Sequence, residues 1–283
     1  MFDHVTLRTA DQAASVAFYA PLLGQLDIHQ TASEDWIAEW DDFSLSPADA
    51  GRPPTRRLHL AFCAPSRAHV DAFWEIGRAA GHPDAGAPGP RPQYREDYYG
   101  AFLLDPDGNS AEAVHHGGMR AGGHLDHLWL RVADLEQAAA FYEAIAPFSG
   151  FERASAAPGR VHFAGAGSTF TLVAGEHVTE HVHLAFPADD DAVVQAFHRA
   201  ALAAGHRDNG APGERAVYHA GYYGAFVLDP DANNVEVVNH RRPARGSRLT
   251  SRTTTVALQG APAPATARSP RTVACRRPGS PAR

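Results

Sequence analysis

The chain contains two copies of one sequence pattern. Tyr98–Glu112 reads YYGAFLLDPDGNSAE and Tyr222–Glu236 reads YYGAFVLDPDANNVE, so eleven of fifteen positions match at an offset of 124. Copies spaced by 124 residues are each long enough to carry a hydrophobic core, so the pattern predicts a duplicated α/β unit. Two earlier pairs of segments also match, HVTLR (4–8) with HLWLR (127–131) and LHLAF (58–62) with VHLAF (182–186).

The repeat predicts the domain organisation. We expect a first domain over 1–120 and a second over 124–242, joined by a short glycine-rich linker. Residues 243–283 are rich in Pro, Arg, Ser, Thr and Ala with little apolar periodicity, which predicts a disordered tail. A basic tail could contact an acidic surface, but a solvated appendix is the simpler interpretation. We therefore expect that deleting 244–283 leaves folding and activity intact.

Each copy divides again into two similar halves. In the first copy a strand over His4–Arg8 and a helix from about Asp11 to Leu22 precede two or three short strands. The pattern restarts with a strand over Leu58–Cys63, a helix over Ser66–Ala80 and a closing hairpin around a DPDGN turn. Each half is thus a β-α-β-β-β module. The predicted fold class is α+β, in which tandem paired βαβββ modules form two U-shaped mixed sheets with helices outside.

Charge excludes several classes of function. All 25 basic residues are Arg, so chemistry that needs a lysine is excluded. Eight of them follow Arg242, which leaves 17 Arg against 32 acidic residues in the rest of the chain. Such an acidic body argues against nucleic acid as a partner. The apolar runs are far shorter than the ~20 residues that span a bilayer, so no membrane partner is expected.

The cysteines and the first residues bear on the cellular compartment. Cys63 and Cys275 form no motif, which excludes a disulfide scaffold and fits a reducing cytoplasm. The opening MFDHVTL has no basic segment followed by an apolar run, so it does not predict a secretory signal. We expect a cytoplasmic protein. A cysteine mechanism shared by both copies is also excluded, because Pro187 is the counterpart of Cys63.

Strand alternation gathers metal-ligand residue types on one side of the predicted sheets. In the first strand His4, Thr6 and Arg8 share a face, and His59 and Glu112 lie on the corresponding faces of two later strands. Each residue alone could be a hydrogen-bonded strand residue, but the repetition favours a metal site. The second copy repeats the set in register with His127, His183 and Glu236.

Two imidazoles and one carboxylate can occupy one face of an octahedron and leave positions open for a substrate. This donor set suits Fe, Mn, Zn, Ni or Co, so the predicted cofactor is a divalent metal ion of unknown identity. The buried carboxylate supports this interpretation, because it needs a charge partner among apolar neighbours. His116 and His240 lie four residues beyond the glutamates, which predicts that they are surface residues rather than ligands.

Two features flank the closing hairpin. Tyrosines follow a Gly/Pro-rich segment in each copy (GAPGPRPQY and GAPGERAVY), which predicts either a mobile loop that closes over a ligand or tyrosines that pack at a sheet edge. In the turn itself Ala232 replaces Gly108, so we expect Asn233 to take the left-handed backbone position.

Paired modules with an initial strand His, a restart HLAF strand and a DPDGNxxE hairpin resemble the vicinal oxygen chelate superfamily, also called the glyoxalase/bleomycin-resistance/dioxygenase superfamily. The resemblance covers about 1–117 and 126–241. It implies a metal-dependent enzyme acting on a small oxygen-bearing substrate. The ligand positions that it implies are the six named above, His4, His59, Glu112, His127, His183 and Glu236.

This three-ligand pattern is similar to those of fosfomycin thiol transferases and extradiol dioxygenases. Glyoxalase I carries a fourth ligand where this chain has FSLS (43–46) and FTLV (170–173), and extradiol enzymes carry a tyrosine where it has Phe102 and Phe226. No catalytic residue is assigned. The candidate substrate contacts are Thr6, which matches a substrate-contacting Thr of the fosfomycin enzymes, its counterpart Trp129, and Arg8, Arg131, Tyr99 and Tyr223.

Three functions therefore remain open. The first is a metal-dependent lyase, thiol transferase or dioxygenase. The second is a non-catalytic small-molecule or drug-binding protein similar to bleomycin-resistance proteins, although the intact His-His-Glu sets favour the enzyme. The third is a scaffold in which one copy alone is active.

The modules can pair in two ways. Pairing within a copy gives the sets His4/His59/Glu112 and His127/His183/Glu236. Pairing across copies gives His4/His183/Glu236 and His127/His59/Glu112, and the linker length allows both. We favour the cross-copy arrangement, because a chain that arose from a swapped dimer keeps the swap without a second molecule. A monomer is then expected.

Overall fold

A computed structural model describes residues 2–118 and 122–240, and within them the chain forms sixteen strands and four helices. The predicted disordered tail, 243–283, lies outside the described residues. The first repeat comprises β1 (His4–Thr9), α1 (Gln12–Gly24), β2 (Ala32–Glu34), β3 (Ile37–Trp40), β4 (Phe43–Pro47), β5 (His59–Cys63), α2 (Arg67–Ala79), β6 (Asp84–Pro90), β7 (Tyr99–Leu104) and β8 (Ser110–His115). The second repeat comprises β9 (Leu125–Val132), α3 (Leu135–Ser149), β10 (Phe151–Ala157), β11 (Arg160–Gly165), β12 (Thr169–Ala174), β13 (His183–Pro187), α4 (Asp191–Ala203), β14 (Arg207–Glu214), β15 (Tyr223–Leu228) and β16 (Asn234–Asn239).

The chain is built from four β-α-β-β-β modules, as predicted. Module 1 runs from β1 to β4, module 2 from β5 to β8, module 3 from β9 to β12 and module 4 from β13 to β16. The mobile-loop interpretation of the Gly/Pro-rich segments needs correction, because Asp84–Pro90 and Arg207–Glu214 are the edge strands β6 and β14. Their register shifts against β7 and β15 accommodate the glycines and prolines as bulges.

Two eight-stranded mixed sheets result, and each takes four strands from each repeat. The first sheet has the order β14-β15-β16-β13-β1-β4-β3-β2 and joins modules 4 and 1. The second has the order β10-β11-β12-β9-β5-β8-β7-β6 and joins modules 3 and 2. The seams are the antiparallel pairs β1–β13 and β5–β9. The modules therefore pair across the repeats, and the described residues form one compact unit.

Capping residues explain where the helices begin and end. Asp134 precedes α3 and accepts hydrogen bonds from the backbone N–H groups of Glu136 and Gln137, each at 3.0 Å. Asp11 precedes α1 and accepts from Ala14 N in the same way. These contacts satisfy N–H groups that the helix itself cannot pair. Beyond α2, Gly81 adopts a φ of +86°, as expected for a glycine that ends a helix.

The core lies on the apolar side of both sheets. Tyr19 of α1 packs against Phe43 of the first sheet at 4.9 Å and Phe62 of the second at 6.3 Å between ring centroids. Phe2 likewise contacts Phe186 of the first sheet and Phe151 of the second. One buried cluster thus joins the two sheets. The opposite face of each sheet, which carries the histidines, is left to line a cavity.

The DPDGN turn anchors the closing hairpin to the rest of the first repeat. Asp105 accepts from the backbone N–H groups of Asp107 and Asn109, and from the hydroxyl of Tyr19 at 3.0 Å. Asn109 in turn accepts from Leu58 N at the start of β5. Burial raises the pKa of Asp105 against these hydrogen bonds. The motif is therefore structural, since it ties a helix, a turn and a strand together.

The corresponding turn in the second repeat departs from its expected conformation. Ala232 itself adopts the left-handed conformation, with a φ of +69°, so the prediction that Asn233 takes this position is wrong. Asn233 instead keeps the structural role of Asn109, because it donates to Asp229 and accepts from Val182 N. Those hydrogen bonds hold the backbone on both sides of Ala232, so the alanine is kept in a left-handed conformation that is unfavourable for an L-residue.

Within the described part of the chain, none of the helices combines the length and apolar character needed to cross a bilayer.

Candidate metal centres

The six predicted ligand residues form two clusters, each drawn from both repeats. The His4 cluster consists of His4, His183 and Glu236 on the first sheet, and the His127 cluster consists of His59, Glu112 and His127 on the second. Each cluster spans three adjacent strands: the strand-one histidine, its antiparallel partner across the seam and the next parallel strand. The cross-copy arrangement that we favoured is confirmed.

The ligand atoms converge closely. In the His127 cluster the Nε2 atoms of His59 and His127 are 3.3 Å apart and lie 3.1 and 3.5 Å from Glu112 Oε2. In the His4 cluster the two Nε2 atoms are 3.1 Å apart, and Glu236 Oε2 lies 3.0 Å from that of His183. Two ligands at ~2.1 Å from one ion at a right angle would be about 3.0 Å apart. Both clusters thus match adjacent ligands of one ion.

Neighbouring side chains orient the imidazoles. Asp126 Oδ2 lies 2.8 Å from His127 Nδ1, and Asp3 Oδ1 lies 2.8 Å from His4 Nδ1. A carboxylate at Nδ1 keeps the proton there and leaves Nε2 with its lone pair toward the centre of the cluster. Ser110 Oγ lies 3.1 Å from the Nδ1 of His59.

Buried tyrosines hold the two glutamates. The Tyr98 hydroxyl donates to Glu112 Oε1 at 2.7 Å, and Tyr222 donates to Glu236 Oε1 at 2.8 Å. Each carboxylate therefore presents its second oxygen, Oε2, to the histidines. A glycine makes room for this contact, since a Cβ on Gly100 would lie 2.4 Å from Glu112 Oε1. The YYG sequence thus serves the site through its first and third residues.

Burial shifts the pKa values of His59 and Glu112 in the His127 cluster. Burial, and then the Arg131 charge, lower the pKa of His59 to about 4, so this imidazole is neutral at pH 7. Burial raises the pKa of Glu112 to about 7, although His127 and Tyr98 oppose the shift. The surroundings of Glu112 therefore compensate the negative charge of its carboxylate poorly. A divalent cation would supply the missing positive charge.

The His4 cluster gives a second indication of a missing partner. Glu236 Oε2 is buried, and it lies 3.0 Å from His183 Nε2 and 3.8 Å from His4 Nε2. A buried carboxylate is costly unless a positive charge compensates it. Although burial opposes the change, the hydrogen bond to Asp3 raises the pKa of His4. The donor chemistry and geometry of both clusters fit a divalent metal ion.

The predicted substrate contacts of the first strands face the clusters. Trp129 is paired in register with His59, and Thr6 with His183. Trp129 and Arg131 line a cavity of about 1000 Å³ above the His127 cluster. Arg8 occupies the equivalent position in the first sheet, where burial and then the nearby Arg52 lower its pKa.

Tyr99 and Tyr223 lie elsewhere, which corrects their predicted role. The Tyr99 hydroxyl donates to Asp71 on α2 at 2.8 Å, and the Tyr223 hydroxyl accepts from Gln195 on α4 at 3.1 Å. Alternation along β7 and β15 turns these side chains to the helix side. Their neighbours Tyr98 and Tyr222 reach the clusters instead. The hairpin register could have predicted that Tyr98 rather than Tyr99 lies on the side of Glu112. Phe102 pairs with Glu112, and Tyr98 lies on the same face of the hairpin as Phe102.

The predicted surface histidines are also closer to the site than expected. His116 Nε2 lies 3.2 Å from Asp126 Oδ1, and His240 Nε2 lies 2.9 Å from Asp3 Oδ1. Neither is a member of a ligand cluster, but each extends a His–Asp–His chain that ends at a predicted ligand. The repeated Asp-His pair in the sequence, DHVTLR and DHLWLR, is the signal for this arrangement.

The first repeat matches the model of a known protein family. Residues 1–113 match the model of the Glyoxalase/Bleomycin resistance protein/Dioxygenase superfamily. The match covers the first repeat, and the second repeat, which has the same order of modules, lies outside it.

Two solved structures share the architecture over most of the chain. Glyoxalase I from Zea mays has a TM-score of 0.60 and 19% identity, covering 84% of this chain and 92% of its own. A putative dioxygenase from Bacillus subtilis has a TM-score of 0.59 and 16% identity, covering 85% of both chains. At these identities the likeness establishes the fold alone. Among curated proteins, no sequence matches this chain.

Proposed function

We propose that this protein is a divalent-metal-dependent enzyme acting on a small oxygen-bearing substrate, by lyase, thiol-transfer or dioxygenase chemistry. The observation that carries the proposal is the convergence of two imidazole nitrogens and one buried carboxylate oxygen, in the same arrangement in both sheets. The proposed ligands are His4, His183 and Glu236 in one site and His59, Glu112 and His127 in the other. Three protein ligands leave coordination positions open.

The bound ion would act as a Lewis acid toward oxygen atoms of the substrate. The protein's own residues prepare the site for this. Asp126 orients His127, Tyr98 fixes the direction of the Glu112 carboxylate, and Trp129 lines one wall of the cavity. Thr6, Arg8, Trp129 and Arg131 are the proposed substrate contacts. Ser44 and Thr171 stand on the strands where glyoxalase I has its fourth ligand, which favours the three-ligand classes.

A second candidate is a drug- or metabolite-binding protein without catalysis. The cavity of about 1000 Å³ is large enough for a drug-sized ligand and favours this reading. Such a cavity has no need of two buried carboxylates, each held by a tyrosine. The metal-dependent enzyme therefore accounts for more of the structure.

Metal analysis tests the proposal. Protein purified without chelator and loaded with zinc should bind two equivalents per chain, as measured by plasma mass spectrometry after gel filtration. His4→Ala and His183→Ala should each remove the same equivalent, so the double variant keeps one. His127→Ala should remove the other. Wild-type protein that retains no metal, or a His4/His183 double variant that retains none, would contradict the assignment.

The remaining expectations are part of the same proposal. We propose a monomer, because each cluster is complete within one chain. The partner is a small molecule rather than nucleic acid, in keeping with the excess of acidic residues. The cytoplasm is the proposed location, on the cysteine content of the sequence.

A further inference from the structure

The two sites differ in one row of side chains beside the ligands. In the second sheet the pairing register runs from His59 through Trp129 and Thr171 to His162. In the first sheet the equivalent row runs from His183 through Thr6 and Ser44 to Glu39. The two rows can be compared residue by residue, because they cross four equivalent strands: β5, β9, β12 and β11 in the second sheet, and β13, β1, β4 and β3 in the first. The repeats therefore supply their own comparison of two pockets.

The rows differ in charge. Arg160 precedes His162 by two residues and lies on the same face of β11. Ala38 pairs with Leu45 as Val161 pairs with Leu172, so Ile37 takes the place of Arg160. The first sheet thus has an apolar side chain and a carboxylate where the second has a guanidinium and an imidazole.

The rows also differ in shape. Trp129 forms an aromatic wall in the second sheet, with its ring centroid 5.6 Å from that of His59 and 5.7 Å from that of Tyr94. In the first sheet Thr6 replaces this wall, and its hydroxyl is hydrogen-bonded to Ser44 at 2.8 Å. There Tyr218, the counterpart of Tyr94, instead contacts Trp36 at 6.3 Å.

The Trp36–Tyr218 contact joins the two ends of the first sheet. Trp36 lies in the β2–β3 turn and Tyr218 in the β14–β15 connection, and these strands are at opposite ends of the first sheet. Their contact therefore spans the mouth of the U. Above the His127 cluster, by contrast, lies the cavity of about 1000 Å³.

The charges that line the cavity above the His127 cluster favour an anion. Its acidic groups are already engaged, Asp126 by His116 and His127, and Glu112 by Tyr98. Arg131 and Arg160 line the walls. A cation at the His127 cluster would add to this positive potential, which attracts and orients anions.

We propose that the cavity above the His127 cluster selects a ring-bearing organic anion, stacked on Trp129 with its acid group toward Arg160 and Arg131, and that the His4 site does not bind this class. The inference rests on the proposed function, since a metal at the His127 cluster would orient the same ligand. Trp129, His162 and Arg160 are then specificity-determining residues.

Salicylate is a suitable probe, because it combines an aromatic ring, a carboxylate and an adjacent oxygen. Calorimetric titration of the zinc-loaded protein should show one equivalent of salicylate per chain. Salicylamide, which has the ring without the charge, and glycolate, which has the charge without the ring, should each bind at least about tenfold more weakly. Two equivalents of salicylate, no binding, or equal affinity for salicylamide would overturn the proposal.

Exchanges between the two rows provide matched variants. Trp129→Thr and His162→Glu copy the first sheet into the second, and each should weaken salicylate binding about tenfold. Glu39→Gln alters the equivalent place of the other site and should leave the affinity for salicylate unchanged. If Glu39→Gln weakened salicylate binding as much as His162→Glu, the assignment of salicylate to the cavity above the His127 cluster would be wrong.

The metal is measured on the same samples. Titrations with and without zinc should show the same ratio of affinities between wild type and exchange variants. Failure to retain zinc would count against the proposed function. Zinc-loaded variants that bind salicylate as tightly as wild type would instead refute the specificity row.

Discussion

At the scale of single residues, the candidate sites depend on side chains that are not members of the two His-His-Glu clusters. A carboxylate holds the Nδ1 proton of one histidine in each cluster, and a tyrosine holds one oxygen of each glutamate. These contacts fix ligand orientation before any ion binds. They therefore reduce the conformational cost of binding.

Removing the charge of Asp126 should weaken metal binding at the His127 cluster alone. In Asp126→Asn the amide can present its NH2 group to His127 Nδ1, which favours the wrong tautomer, and we expect a loss of about 10- to 100-fold in affinity. Competition with a chromophoric chelator measures it. Asp71→Asn, which removes a carboxylate charge beside Tyr99 outside the site, is the control. Equal affinities for Asp126→Asn and wild type would show that the carboxylate does not orient the ligand.

A single methyl group should displace a ligand. Gly100→Ala places a Cβ 2.4 Å from Glu112 Oε1, and Gly224→Ala does the same to Glu236, so each should remove one metal equivalent. Metal content after gel filtration reports the loss. Gly24→Ala is the control, because a Cβ there meets nothing within 4 Å. Retention of two equivalents in Gly100→Ala would mean that the carboxylate relocates without leaving the site.

At the scale of elements, the same hairpin turn is built with different backbone costs in the two repeats. Gly108 adopts its left-handed conformation freely, whereas Ala232 adopts it with a Cβ. The hydrogen bonds of Asp229 and Asn233 hold the turn in this shape. Side-chain anchors in the turn thus override the local preference of one residue.

Relieving this conformation should stabilise the protein. Ala232→Gly should raise the free energy of unfolding by about 1 kcal/mol, because the left-handed conformation costs an L-residue roughly that much. Gly108→Ala should lower it by a similar amount. Denaturant titration followed by circular dichroism measures both. A destabilised Ala232→Gly variant would show that the glycine's entropy in the unfolded chain exceeds the strain it removes.

At the scale of the whole molecule, the repeats are interleaved. Module 1 completes its sheet with module 4, and module 2 with module 3, so neither repeat contains a full cluster. Tyr19 and Phe2 bridge the two sheets in one core. The candidate sites therefore depend on the tertiary fold of both repeats together.

This arrangement predicts a monomer in solution. Both seams are already closed by strands of the same chain, so no second copy is needed to complete a sheet. Light scattering coupled to gel filtration should give a mass near 30.3 kDa with both metal equivalents bound. A dimer that loses metal on dilution would indicate that ligands are shared between chains instead.

The faces on which most of the candidate site residues lie could be predicted from the sequence, because side chains alternate along a strand with a period of two. Strand alternation alone placed His4, His59 and Glu112 on polar faces, and the second copy repeated the same three residue types in register. Tyr98 was within reach of the same reasoning, since the hairpin register sets its face. The tyrosine pair was misassigned because the strand boundary beside a Gly/Pro-rich edge is weakly specified by local propensity.

Only the tertiary structure decided which histidine meets which glutamate. Both pairings of the modules satisfy the same alternation, the same loop lengths and the same apolar faces, so no local signal separates His59 from His183 as the partner of His4. The choice depends on which seam, β1–β13 or β1–β5, buries the common core better, and that energy belongs to the assembled sheets. The sequence determined the modules, their inward faces and the ligand types, because these follow from local periodicity. Their assembly into two mixed sites follows from long-range packing.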